Sequence, residues 1–205
     1  MENNKKLILV LVIFAVVLVG AYLLYSQLAP QFTQDQLATV GTQPQETTTS
    51  ASTPETTENT QQTTEDQNLV PDFTVYDAQG NAVRLSDYFG KPTVLNFWAS
   101  WCGPCQMEMP DFDAKYQALG NDVQFLMINM TDGDRETVET ASAFIAKKGY
   151  TFPVFYDTQY SAAIAYNVYS LPTTFFIDAN GVGVAYASGA IDAETLQRGI
   201  DMITG

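Results

Sequence analysis

The chain of 205 residues carries 9 Lys and Arg against 23 Asp and Glu, a formal net charge of −14. So acidic a chain does not suit nucleic acid, which asks for a basic face; its charge serves solubility. With no His and two Cys it also lacks the roughly four Cys or His ligands of a structural zinc site, and its length fits one domain of about 100–200 residues plus appendages.

Residues 1–6 form a short N-terminus ending in Lys5-Lys6, and 7–25 follow as 19 uncharged residues rich in Leu, Val and Ile. About 20 such residues span a bilayer core as a helix. A cleaved signal peptide has a shorter apolar region, about 7–15 residues, closed by an A-x-A-like site. Gln27-Leu28-Ala29 matches that site poorly. No polar face interrupts the stretch, as it would in a helix on a globular core. Residues 7–25 are therefore read as a transmembrane anchor helix. No Lys or Arg occurs between 26 and 68. The positive-inside rule then leaves the N-terminus cytoplasmic and the rest extracytoplasmic at the cell membrane.

Residues 26–68 read as a disordered linker. From Gln31 on it is dominated by Thr, Gln, Glu, Ser and Pro, with few large apolar side chains after Leu37 and Val40. Such a composition cannot bury enough surface to offset the entropy of ordering. A flexible chain of this length reaches on the order of 30–40 Å. It serves either as a tether for a catalytic domain or as a passive spacer.

Residues 69–205 read as the globular domain. Phe73 to Tyr76 alternates like a strand, Asp77 to Asn81 is a turn, and Ala82 to Leu85 returns. Thr93 to Trp98 and Val123 to Met130 are near-continuous apolar runs, the pattern of central strands covered on both faces. Between them Gln106 to Leu119 reads as a helix interrupted by Pro110. Asp134 to Lys148 is predicted as a helix stopping at Gly149. Phe152 to Phe155 is predicted as a strand that Pro153 places near an edge, and Ser161 to Tyr166 as a short helix. Thr173 to Ile177 and Val182 to Ala187 flank a hairpin turn at Asp178 to Gly181. Asp192 to Ile203 closes the chain as an amphipathic helix. This order gives an α/β fold with a mixed sheet between helices. Asn129-Met130-Thr131 matches a glycosylation sequon but falls at a predicted buried strand end.

The chemistry concentrates in Trp101-Cys102-Gly103-Pro104-Cys105, which holds both cysteines of the chain. The pair falls at a strand-to-helix turn, where free N–H groups and the helix dipole favour thiolate. Thiolate is the species that attacks a disulfide. Two intervening residues let the pair cycle between dithiol and disulfide without unfolding. A purely structural disulfide would close a very short loop and stabilise little. Cys102, nearer the helix start, is expected to be the exposed nucleophile and Cys105 the resolving thiol. No bound cofactor or metal is called for.

The stretch Phe97-Trp98-Ala99-Ser100-Trp101-Cys102-Gly103-Pro104-Cys105 resembles the active site of the thioredoxin superfamily. Pro71-Asp72-Phe73, Asp77 to Gly80, Leu85-Ser86-Asp87, Gly90-Lys91-Pro92, Asn96-Phe97-Trp98 and Glu108-Met109-Pro110 follow in an order similar to its membrane-anchored TlpA/ResA-like branch. The likeness runs from about Val70 to Gly205. It implies a thioredoxin-like fold with an extra N-terminal β-hairpin and a central insertion. It also implies protein disulfides as substrates and a membrane dithiol carrier as electron partner. Pro172, in Ser170-Leu171-Pro172-Thr173-Thr174, resembles the family's cis-proline loop, whose preceding residue, here Leu171, offers its backbone to substrate. Trp101, Gly103 and Pro104 are expected beside it.

One departure stands out. Thioredoxin has a buried acid where this chain has Asn96. Glu108, one helical turn after Cys105, is the acid whose spacing puts it on the same face; the alternative is a solvent-exposed helix acid. Together these residues point to a membrane-anchored thiol-disulfide oxidoreductase that reduces protein disulfides. The rival readings are disulfide insertion into exported proteins, a peroxiredoxin-like peroxidase, and a non-catalytic stalked binding module.

Overall fold

The computed structural model describes residues 18–19, 36–40 and 69–205. The expected anchor, apart from Leu18 and Val19, and most of the expected linker lie outside the described residues. Among the described residues no helix is long and apolar enough to cross a membrane. Leu37–Gly205 is a compact unit of its own, and it holds the whole sheet and the helices that cover it.

Among the described residues eight strands form one mixed sheet: β1 (Ala38–Thr39), β2 (Thr74–Tyr76), β3 (Ala82–Arg84), β4 (Thr93–Trp98), β5 (Gln124–Asn129), β6 (Val154–Tyr156), β7 (Thr173–Ile177) and β8 (Gly183–Ser188). Their spatial order is β1-β8-β7-β4-β5-β6-β2-β3. The helices are α1 (Gly103–Leu119), α2 (Val138–Lys148), α3 (Ser161–Ala165) and α4 (Ala193–Thr204). The β4, β5 and β6 strands are parallel, and the others pair antiparallel.

All six residues of β4 are buried, and the pleat divides them between two cores. Val94 and Trp98 pack with Met109 and Phe112 of α1, Ala141 of α2 and Leu196 and Ile200 of α4. Leu95 and Phe97 pack on the other face with Phe73, Val75 and Ala162. Asn96 shares the parity of Val94 and Trp98, which aims it at α1.

Three expectations change. Helix α1 runs unbroken through Pro110. Strand β6 is interior, paired with both β5 and β2; Pro153 precedes it, so the missing N–H leaves no gap in the ladder. Residues 37–40, expected as linker, add to the sheet instead. Thr39 and Ala38 pair with Ala185 and Tyr186 of β8, and Val40 N donates to Val184 O over 3.1 Å. An open strand edge offers unpaired backbone groups to any extended segment, so polar composition did not keep this one out.

Candidate active site

Strand β4 leads into the tight turn Ala99 to Trp101, where Cys102 N donates to Ala99 O at 3.1 Å. Cys102 is then the N-cap of α1, with Pro104 in the first helical turn. Its Sγ accepts from Cys105 N at 3.2 Å, the place a capping oxygen usually fills. Cys102 and Cys105 form a disulfide with a Cα–Cα distance of 5.3 Å. Cys102 keeps 4 % exposure and Cys105 none. Both are therefore buried, Cys102 too although it was expected to be exposed; of the two, Cys102 alone lines a pocket.

Cys102 opens onto a pocket of about 420 Å³. Trp101, Gly103 and Pro104 line it together with Val168 to Leu171. Leu171–Pro172 is a cis peptide bond, and Pro172, next in sequence to the lining residue Leu171, is buried. Of the predicted residues, Trp101, Cys102, Gly103, Pro104 and Leu171 share this pocket, whereas Cys105, Glu108 and Pro172 do not line it. Trp98, at the end of β4, is buried in the core, its ring 5.9 Å from Phe144. Trp101 is 43 % exposed and lies under the Arg135 guanidinium, 3.4 Å from its ring centroid.

Glu108 is buried, at 2 % exposure, so the solvent-exposed alternative falls. It shares the inner face of α1 with Cys105, Met109 and Phe112. Its Oε1 accepts from Asn96 Nδ2 at 2.8 Å and its Oε2 from Ile191 N at 3.0 Å. Asn96 Nδ2 also donates to Thr174 Oγ1 at 3.0 Å, across the register pair that joins β4 to β7. Burial pushes the Glu108 carboxyl up to about 7; the Ile191 and Asn96 hydrogen bonds oppose this, and Asp111 adds to it. Desolvation dominates because water is a better host for charge than two donors are.

The pocket also uses Met130, Asp132, Tyr160 and Tyr169, which the sequence pattern did not single out. Tyr169 is 92 % exposed, and only its place just before Leu171-Pro172 signals it. Among the described residues no cluster of Cys, Asp and Glu is arranged to hold a metal ion.

Comparison with known proteins agrees with this geometry. The model of the AhpC/TSA family matches residues 67–186. The chain is 39 % identical over 137 residues to the thiol-disulfide oxidoreductase ResA of Geobacillus kaustophilus (strain HTA426), covering 66 % of this chain and 76 % of that protein. The structure of StoA from Bacillus subtilis is 26 % identical with a TM-score of 0.56, over 64 % of this chain and 98 % of that one. The exposed lipoprotein thioredoxin Etrx1 of Streptococcus pneumoniae strain TIGR4 is 32 % identical with a TM-score of 0.55, over 64 % and 98 %. The chain thus belongs to the AhpC/TSA family, among its thioredoxin-like thiol-disulfide oxidoreductases.

Proposed function

We propose that this enzyme is held at the outer face of the cell membrane by residues 7–25 and reduces disulfides of exported proteins. The observation that carries the reading is the asymmetry of the pair. Cys102 lines a pocket with Val168 to Leu171, whereas Cys105 is fully buried and does not line it. The Cys102 thiolate attacks a substrate disulfide, forming a mixed disulfide and expelling the first substrate thiolate. Cys105 then gives its proton to Glu108 and attacks Cys102 Sγ. The second substrate thiolate leaves, and two electrons have passed from the dithiol to the substrate. A membrane dithiol carrier restores the pair by the same exchange in reverse. Trp101, Gly103, Pro104 and Leu171 hold the substrate chain, with Pro172 next in sequence. No other cofactor takes part.

The reducing direction rests on Gly103-Pro104, which resembles the spacer of reducing thioredoxins. Both cysteines lie in one turn, which leaves no lone cysteine to serve as a peroxidase nucleophile.

Insulin reduction by the full chain with dithiothreitol tests the activity, and equilibration of the Cys102–Cys105 couple with glutathione tests its direction. A potential near or below about −250 mV supports a reductase, and one near about −120 mV an oxidase. Recovery of the full chain in the soluble fraction after lysis would refute the anchor.

A further inference from the structure

Glu136 has no part in the chemistry assigned to Cys102, Cys105 and Glu108, yet it is wholly buried, at 0 % exposure. It lies between β5 and α2 and reaches back to the turn that carries the thiols. Its Oε1 accepts from Ser100 N at 2.7 Å and from Asn129 Nδ2 at 2.7 Å. Its Oε2 accepts from Ser100 Oγ at 2.5 Å. Asn129 is held in turn by Thr131 Oγ1, which donates to Asn129 Oδ1 at 2.8 Å.

The remaining group of Ser100 is held too. Gln106 Nε2, from the first turns of α1, donates to Ser100 O at 2.6 Å. The N–H, hydroxyl and carbonyl of Ser100 therefore all have fixed partners. Ser100 precedes Trp101 by one residue and Cys102 by two, so its orientation sets theirs. Glu136 is itself held by its backbone: its N donates to Asp132 Oδ1 at 2.8 Å and its O accepts from Gly133 N at 2.9 Å. The residue beside it, Arg135, covers Trp101. One loop thus holds both the turn, through Glu136, and its exposed aromatic, through Arg135.

A carboxylate is a costly way to fill a buried site unless its lone pairs are matched by donors. Here three N–H and O–H donors match them, and two of the three come from Ser100. We propose that Glu136 is a positioning residue for thiol-disulfide exchange. Through hydrogen bonds rather than charge, it fixes Ser100 and so the angle at which Trp101 and Cys102 meet the substrate. This rests on the exchange reaction proposed above.

The test uses the reduced full chain and oxidised glutathione as the probe. The second-order rate of exchange is measured well below each variant's melting temperature, with folding verified by near-ultraviolet circular dichroism. Glu136→Ala should slow exchange by about tenfold or more, since a displaced reacting group loses rate steeply. Glu136→Gln keeps an oxygen for Ser100 N and Asn129 and an amide that can donate to Ser100 Oγ. It should return the rate to within about threefold of the unmodified chain. Should Glu136→Ala not fold, Ser100→Ala against Ser100→Thr reads the same contact, the first slow and the second restored. A folded Glu136→Ala with an unchanged rate would overturn the proposal, as would a Gln variant as slow as Ala. If the unmodified chain does not exchange, the proposed function falls first, and this assignment falls with it.

Discussion

Asn96 and Glu108 hold each other in a buried hydrogen bond, Nδ2 to Oε1 at 2.8 Å, with 0 % and 2 % of their surfaces exposed. The family resemblance implies an acid on the strand. Here the strand supplies the amide, and α1 supplies the acid, one turn after Cys105. Ile191, which leads into α4, donates to the other carboxylate oxygen. The proton site is therefore built where β4, α1 and the approach to α4 converge. Its carboxyl, pushed up to about 7 by burial, is poised to accept or release a proton near neutrality.

That displacement has a consequence for stability. Glu108 is raised from 4.5 to about 7 in the folded chain, so between those values the folded state binds more protons than the unfolded one. Stability from this group is present in full below about pH 4.5 and is lost as pH rises through about 7. Glu108→Gln should not show the loss. The difference in unfolding free energy between the oxidised chain and the variant should change by on the order of 3 kcal/mol from pH 4 to pH 8. Urea denaturation across that range measures it, and parallel curves would rule it out.

The roles of the two thiols give a second prediction. Cys102→Ser should abolish turnover, and Cys105→Ser should accumulate mixed disulfides with substrate. In the reduced chain, iodoacetamide near neutral pH should modify Cys102 first, because Cys105 is enclosed. Faster modification of Cys105, read by mass spectrometry, would reverse the assignment.

Much of this was legible because periodicity and spacing are local. The two apolar runs gave β4 and β5, and Asp178 to Gly181 gave the β7–β8 hairpin. The burial of Glu108 was not settled by local pattern: Cys105, Glu108, Met109, Phe112 and Asp113 recur at helical spacing, but exposed Met107 blurs the stripe, and a solvent-exposed acid fitted as well. Other features depend on partners distant in sequence. Strand β1 has no local signal, since it is ordered by the open edge of β8. The predicted start of α2 at Asp134 was early because Glu136 is drawn toward Ser100; the helix begins after Thr137, whose side chain caps it.

A third prediction concerns α4. Gly199 has ordinary helical surroundings in sequence, and Ala is favoured over Gly in a helix by about 1 kcal/mol. A methyl group there would meet the Phe176 ring at 2.2 Å, and that ring is fully buried. Overpacking a full core costs about 1–3 kcal/mol or more, so Gly199→Ala should lower stability despite the helix preference. A higher melting temperature for the variant would show that the ring has room to move.

The last prediction separates the two chemical steps. Formation of the mixed disulfide needs only the Cys102 thiolate, which the helix N-terminus favours. Resolution needs Cys105 to lose its proton in a place closed to solvent. Asn96 cannot ionise and the chain has no His, which leaves Glu108 as the acid one turn from Cys105 on the same helical face; Asp113, further along it, is held by Gln117 and Thr151. To act as a base it must be ionised, so the rate of resolution should climb as pH rises through about 7. In Glu108→Gln that limb should vanish and resolution should slow, while formation changes little. The variant should also lower the Cys105 thiol pKa, because a neighbouring carboxylate disfavours a second negative charge. The two effects oppose each other above neutrality, where the variant's own thiolate partly compensates for the lost base. The deficit should therefore be largest near pH 7 and shrink toward pH 9. Stopped-flow measurement of both steps over roughly pH 5 to 9 reads this directly. Identical pH profiles for the two proteins would leave Glu108 as a structural tie between α1 and the approach to α4.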